Sequence, residues 1–298
     1  MMKWLVLLLV LAQPVAAEST AATLFSAKRT PAPGAAVPVG TYARGCAQGN
    51  VELAETGPTW QAMRLSRGRN WGNPTMVAFL QDLSGKVTQF GWRGLYIGDL
   101  GNPRGGPMNS GHASHQMGLD ADVWFLKPAR LDLSRAQREE ISSIPIRSTD
   151  QRSVNRNYDS SYREVLKAAA SDPRVDRIFV AAAIKIEMCK TAKPADTKWL
   201  QRIRPEASHE AHFHVRLKCP PGASYCQTQA PTVNELSNGG NGCDDTLMYW
   251  VSDAYLNPKA VKPVKPVEPV PPKPRKKSAR ELLLADMPAE CAVVLRAD

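Results

Sequence analysis

The sequence predicts an α+β fold, with a small antiparallel central sheet flanked by helices and long loops and stabilised by disulfides. Three observations lead there. Two stretches carry apolar residues at helical spacing, and four short stretches alternate or are rich in β-branched and aromatic residues. The two kinds do not alternate regularly, as a parallel βαβ series would require. Six cysteines, an even count, stand behind an export signal, which is the usage of an oxidising compartment.

The 298-residue chain begins MMKWLVLLLVLAQPVAAEST. Lys3 supplies a positive start, Trp4 to Leu11 an unbroken apolar run, and Val15-Ala16-Ala17 small residues for cleavage. Residues 1–17 therefore read as a signal peptide, too short to span a membrane. No later stretch reaches the roughly 18 apolar residues of a spanning helix, so no integral membrane association is expected. Residues 18–257 form the main domain, long enough for one large core or two small ones.

In PTMVAFLQDLSGKV, residues 74–87, Met76, Phe79, Leu80, Leu83 and Val87 fall at helical spacing behind Pro74. GLYIGDL (94–100) and LDADVWFL (119–126) read as strands, separated by the Gly/Pro loop GNPRGGPMNSG. Such loops are where sites tend to be mounted. SSYREVLKAAASD (160–172) is the second helix, with Tyr162, Val165, Leu166 and Ala169 on one face. DRIFVAA (176–182) and HFHVRLKC (212–219) complete the strands. Residues 258–277, PKAVKPVKPVEPVPPKPRKK, form an extended linker with no core of its own. The tail, residues 278–298, carries Cys291. A cysteine is rarely left free in an oxidising compartment, so the tail is expected to return to the body through a disulfide. Cys219 and Cys226 lie around PPGAS, a turn-forming loop, and are the easiest local pair.

The formal net charge of +10 favours an anionic partner outside the cytoplasm, such as a cell-wall polymer or an acidic peptide. No nucleic-acid reader motif accompanies the charge, so nucleic acid is not expected. No two cysteines have the CxxC spacing of a zinc ribbon.

All five histidines fall in two stretches, SGHASHQMGLDADVWF and SHEAHFHVRL. The second begins like the helical zincin motif HExxH, but His212 arrives one residue early and Phe213 takes the ligand's place. As a strand it makes sense. His212, His214 and Arg216 share one face, and Phe213, Val215 and Leu217 share the other. The apolar set can enter the core while both imidazoles face a cleft. His209 then belongs to the loop entering the strand, and Glu210 has no zincin role. In the first stretch Asp120 and Asp122 share a face, and Gly118 can turn the chain to bring His115 to the side of Asp122. His115, Asp122 and one histidine of the last strand make two imidazoles and a carboxylate. That set suits a catalytic zinc with an open position for water. One of His212 and His214 can ligate while the other serves as base, and spacing leaves the choice open. Asp120 is expected to hold a ligand histidine in its tautomer, and Asp99 to serve a turn.

HASHQMGLDAD and HEAHFHVRLKCP together resemble the penicillin-insensitive murein endopeptidases, within the wider group of LAS metallopeptidases. IGDLGNPRGG and the Pro-rich tail extend the resemblance over essentially the whole mature chain. It implies that His115, Asp122 and His214 bind Zn2+, with His112 helping to bind metal or supporting the site. It implies that His212 is the catalytic base or transition-state stabiliser and that His209 is functionally important. It implies the pairs Cys46–Cys291, Cys189–Cys243 and Cys219–Cys226. Some members carry an Asp-x-x-His that can take a second metal; here STDQRSVN has Asp150 but Ser153 in the histidine's place.

The implied activity is hydrolysis of peptidoglycan cross-link peptides, at D-alanyl to meso-diaminopimelyl bonds, in the periplasm. Arg216, on the predicted site face, would bind a substrate carboxylate, and Arg104 and Arg204 are candidates of the same kind. Rival readings are a D,D-carboxypeptidase or dipeptidase on the same site and a non-catalytic zinc-bearing wall-binding protein. The chain has no Ser-x-x-Lys, so it lacks the serine that a β-lactam acylates in penicillin-binding enzymes. The sequence does not fix an oligomeric state.

Overall fold

The computed structural model describes residues 18–258 and 275–298. The expected signal peptide and most of the expected linker lie outside the described residues. In chain order the strands are β1 (Val37–Thr41), β2 (Arg44–Gln48), β3 (Val51–Glu52), β4 (Thr56–Gly57), β5 (Trp60–Ala62), β6 (Trp71–Gly72), β7 (Leu95–Ile97), β8 (Asp120–Trp124), β9 (Val175–Val180), β10 (Ile203–Pro205) and β11 (His212–Leu217). Seven of them form the main sheet, ordered β10-β9-β11-β8-β7-β5-β4. The α+β class stands, but the sheet is neither small nor purely antiparallel. β10 pairs with β9, and β5 with β7, in parallel. The four strands expected from the sequence are β7, β8, β9 and β11. The others in this sheet have two or three residues each, too few for alternation to register.

The helices include α1 (Ala21–Ser26), α2 (Pro74–Lys86), α3 (Arg135–Glu140), α4 (Ser160–Ser171) and α5 (Ala182–Cys189). α2 begins where Asn73 Oδ1 accepts from the Thr75 N–H at 3.0 Å and Pro74 fills the first turn. α4 begins at Asp159, which accepts from the Ser161 N–H at 2.9 Å. Their apolar faces (Met76, Phe79, Leu80 and Leu83; Tyr162, Val165, Leu166 and Ala169) join Ala121 and Val123 of β8 and Phe213, Val215 and Leu217 of β11 in one core. Each large apolar side chain buried there contributes roughly 1.5–3 kcal/mol. The same burial pins the pleat, because a one-residue slip would turn the apolar set outward. The other face of β8 and β11 is thereby committed to Asp120, Asp122, His212, His214 and Arg216.

A second core gathers Phe25 of α1, Val39 and Cys46 of the β1–β2 hairpin, and Leu282, Met287, Cys291, Val294 and Leu295 of the tail. A Cβ on Gly106 would lie 2.2 Å from the Phe25 ring, so only glycine fits there. Disulfides join Cys46 to Cys291, Cys189 to Cys243, and Cys219 to Cys226, the pairs the resemblance implies. Arg104 is buried in this region. Its Nη1 donates to the carbonyls of Val294 at 3.1 Å and Leu295 at 2.8 Å, and its Nε to that of Thr30 at 3.1 Å. It caps the carbonyl end of the last helix, Glu290–Arg296, and is not offered to a substrate. Arg204 donates to Ser237 Oγ at 3.1 Å, beside the buried Lys185 rather than among the histidines. No helix of the described residues is long and apolar enough to cross a membrane.

Candidate metal centre

β11 runs antiparallel to β8 with His214 opposite Asp122 and Arg216 opposite Asp120. On its other side β9 sets Phe179 opposite His214. Residues directly opposite on one face have Cβ atoms about 4.5–5.5 Å apart, so register alone brings carboxylates to imidazoles. His115 arrives from the preceding turn. Its backbone is left-handed, φ +67°, and Gly118 follows at φ +70°. A Cβ on Gly118 would meet Asn50 Oδ1 at 2.5 Å. The unfavourable backbone of His115 is held by its N–H donating to Asp120 Oδ2 at 3.0 Å. Its Nδ1 lies 2.7 Å from the Leu100 carbonyl. A carbonyl only accepts, so Nδ1 carries the proton and Nε2 keeps its lone pair.

That lone pair and its neighbours converge on Asp122. His115 Nε2 and His214 Nδ1 each stand 3.4 Å from Asp122 Oδ1, and His212 Nε2 stands 3.6 Å from it. His112 Nδ1 is 3.5 Å from Asp122 Oδ2. His115 Nε2 and Asp122 Oδ1 are both buried without a hydrogen-bond partner. Two such orphans in a core are costly, and a cation between them would satisfy both. The spacing suits one: ligand atoms about 2.1 Å from a tetrahedral ion stand about 3.4 Å apart. Ligand atoms of His112, His115 and Asp122 all lie within 4.8 Å of one another, a group that could hold a metal ion.

Behind these atoms is a second layer of contacts. Asp120 Oδ1 lies 2.9 Å from His214 Nε2, which turns Nδ1 towards Asp122. Asp99 Oδ2 lies 2.9 Å from His112 Nε2 and accepts from Arg67 and Arg69 at 3.0 Å each. Asp99 was expected only to serve a turn. It instead orients an imidazole, and nothing local in GLYIGDL signals this, because its partners lie in other segments. Arg216 also differs from expectation. Its Nε and Nη2 donate to Asp120 at 2.7 and 3.2 Å, and its Nη1 donates to Gln229. The guanidinium lies against Tyr42, 4.2 Å from the ring centre. Only 6% exposed, Arg216 is committed to Asp120 and has little left to offer a substrate carboxylate. Glu210 pairs with Arg147 at 3.5 Å, outside the cluster.

Burial would raise the Asp122 carboxyl, but the imidazoles of His115 and His212 outweigh it and hold Asp122 well below the carboxylate range. Asp120 is likewise lowered against its burial by Arg216 and His214. Burial would push His214 down, but Asp120 beside it raises it. Burial lowers His212 despite the pull of Asp122. Burial, with His212 and His214, brings His209 down to about 4. The centres of the His209 and His212 rings are 5.0 Å apart, and His209 Nδ1 sits 2.6 Å from the Ala207 carbonyl. All five histidines, from two stretches of sequence, thus form one assembly.

The assembly floors a cleft of about 470 Å³ lined by His112, Phe179, Glu206, His209 and His214. Ala43, Arg216 and Gln229 also line a second cavity of about 370 Å³, and Glu206 and Ala207 a third.

A buried carboxylate ringed by fixed imidazoles beside a cleft defines a hydrolase of the metallopeptidase class. The chain belongs to the penicillin-insensitive murein endopeptidase family, whose model matches residues 38–296. A penicillin-insensitive murein endopeptidase of Haemophilus influenzae is 39% identical over 230 residues, covering 77% of this chain and 78% of that protein. That of Salmonella arizonae is 38% identical over 250 residues, covering 84% and 88%. That of Klebsiella pneumoniae is 37% identical over 241 residues, covering 80% and 85%.

Proposed function

We propose that this murein endopeptidase hydrolyses the D-alanyl to meso-diaminopimelyl cross-links of peptidoglycan in the periplasm, using Zn2+. The observation that carries the metal reading is the pair of orphaned buried atoms, His115 Nε2 and Asp122 Oδ1, in a ring of imidazoles. His115, Asp122 and His214 would hold the zinc, with His112 as a further donor or support. Bound there, zinc would polarise the substrate carbonyl and acidify a water.

The chain's own residues supply the rest. Leu100 and Asp120 fix the ring nitrogens that His115 and His214 present. His212, kept neutral by burial and with a quarter of its side chain exposed, takes a proton from the attacking water and returns it to the departing amine. His209, tethered to Ala207, packs beside the His212 ring. Arg216 holds Asp120 and thereby the orientation of His214. Residues 18–257 would form the catalytic unit, with residues 278–298 tied back by a disulfide. Action on an internal bond is supported by the family and by the relatives named above, all murein endopeptidases.

The test is mass spectrometry of muropeptide dimers incubated with zinc-loaded protein. Monomers should appear, EDTA should stop their release, and penicillin should not. Intact dimers would sink the endopeptidase reading, and trimming of terminal residues alone would favour a carboxypeptidase.

A further inference from the structure

Among the described residues, cationic groups with donors to spare lie near His112, on the far side of Asp99. There Arg67 and Arg69, which pair with Asp99, line a further pocket of about 320 Å³, together with Ser26, Arg29, Asn102 and Asn109 among others. Its charges do not balance. Arg67 and Arg69 donate to the same oxygen of Asp99, which His112 also approaches. Among the described residues Arg29 donates only to the Ser26 carbonyl, at 2.9 Å. The other carboxylate nearby, Glu139, is taken up by the backbone and hydroxyl of Ser66 at 2.8 and 2.9 Å. Arg69 is 7% exposed and spends its second nitrogen on Ser110 and Asn109. The Arg67 side chain is 47% exposed and Arg29 is exposed as well. These two keep unpaired N–H donors and can turn them into the pocket.

We propose that this pocket is a carboxylate-binding subsite, in which Arg29 and Arg67 bind a free carboxylate of the cross-link peptide near the bond to be cut. The proposal rests on the murein reading given above and deepens it. Two guanidiniums facing one pocket suit a planar carboxylate, which accepts paired, charge-assisted hydrogen bonds. The reach is right. Asp99 Oδ2 is 3.0 Å from Arg67 and 2.9 Å from His112, so the pocket begins one side chain away from the histidine cluster. An extended peptide advances about 3.3–3.6 Å per residue, so a carboxylate within a few residues of the reacting carbonyl can enter. Arg29 follows α1, whose Ala21 N–H donates to the Leu282 carbonyl at 2.7 Å. The N-terminal segment, docked on the tail, thus becomes part of the substrate site.

The experiment compares a cross-linked muropeptide dimer with the same dimer after its free carboxylates have been converted to amides. Arg29→Gln should raise KM for the natural dimer by about tenfold, the scale of one charge-assisted hydrogen bond, and leave KM for the amidated dimer as in the parent. Zinc content should not change. Equal losses on both substrates, or no loss on either, would overturn the subsite. Calorimetry with His212→Ala, against His212→Ala combined with Arg29→Gln, reads binding without turnover. If the parent cleaves no dimer but binding still discriminates carboxylate from amide through Arg29, the murein reading fails and the subsite stands. If turnover is normal and discrimination is absent, the subsite fails alone.

Discussion

Asp120 Oδ1 stands 2.9 Å from His214 Nε2, and this contact decides which ring nitrogen His214 turns towards Asp122. The same carboxylate holds Arg216 and the backbone of His115. Asp120→Asn keeps the shape and removes the charge. Metal affinity, read by competition with a chromophoric chelator, should fall by about 10- to 100-fold, the usual effect of removing a ligand's supporting partner. The melting temperature should fall too, because the buried Arg216 loses its counter-charge. Unchanged affinity would show that Asp120 does not orient His214.

His214 and His212 lie two residues apart on one strand face and are assigned different tasks. His214→Ala should lose zinc. His212→Ala should keep zinc and lose activity by about 10²-fold or more, the contribution of a positioned base. Zinc analysis and dimer cleavage on both proteins decide it. Normal zinc in both would remove His214 from the ligand set.

Burial sets the acid side of the pH profile. His212 is lowered from the ordinary histidine value, and His209 is brought down to about 4. A base with a depressed pKa stays neutral to lower pH, so kcat/KM should hold through pH 6.5 and fall only below it. A nearby dication would push in the same direction. A decline beginning above pH 7 would contradict His212 as the base.

Lys185 lies in α5 fully buried, and its Nζ has no hydrogen-bond partner. Burial, then Arg204, lowers it to about 7 from an ordinary value of 10.5. Below pH 7 folded and unfolded chains both hold the proton, and the folded state bears the whole cost of burying a charge. Between pH 7 and 10.5 the unfolded chain binds a proton that the folded chain lacks, so stability rises with pH across this window. Lys185→Met should flatten that rise and stabilise the protein by on the order of 1–3 kcal/mol at pH 6.5. Urea unfolding at pH 6.5 and 9.5 measures it. A destabilised variant at pH 6.5 would mean that the ammonium has a partner.

Cys46–Cys291 closes a loop 245 residues in sequence. Replacing both with alanine should cost roughly 2–5 kcal/mol of stability, since the constraint on the unfolded chain grows with loop length. Zinc affinity should be unaffected, because this bridge belongs to the core of the hairpin and the tail, not to the β8–β11 sheet. Loss of zinc on removing the bridge would couple the two regions.

The histidine strand was legible because alternation is a property of the extended backbone itself. In HFHVRL every second side chain turns the same way whatever the rest of the chain does, so burying Phe213, Val215 and Leu217 puts His212, His214 and Arg216 together. The α2 and α4 faces were legible for the same reason at a different period. Other features depended on long-range contact. Which nitrogen of His214 meets Asp122 follows from the register of β11 on β8 and from Asp120, 94 residues away. Arg216 looked like a substrate ligand while only its face was known; the strand opposite supplied Asp120 and used it up. Asp99 looked like a turn residue until the fold brought Arg67, Arg69 and His112 to one of its oxygens. Local periodicity determines which way a side chain faces. What it meets there is set by segments far away in sequence, and only packing the sheet brings them to hydrogen-bonding distance.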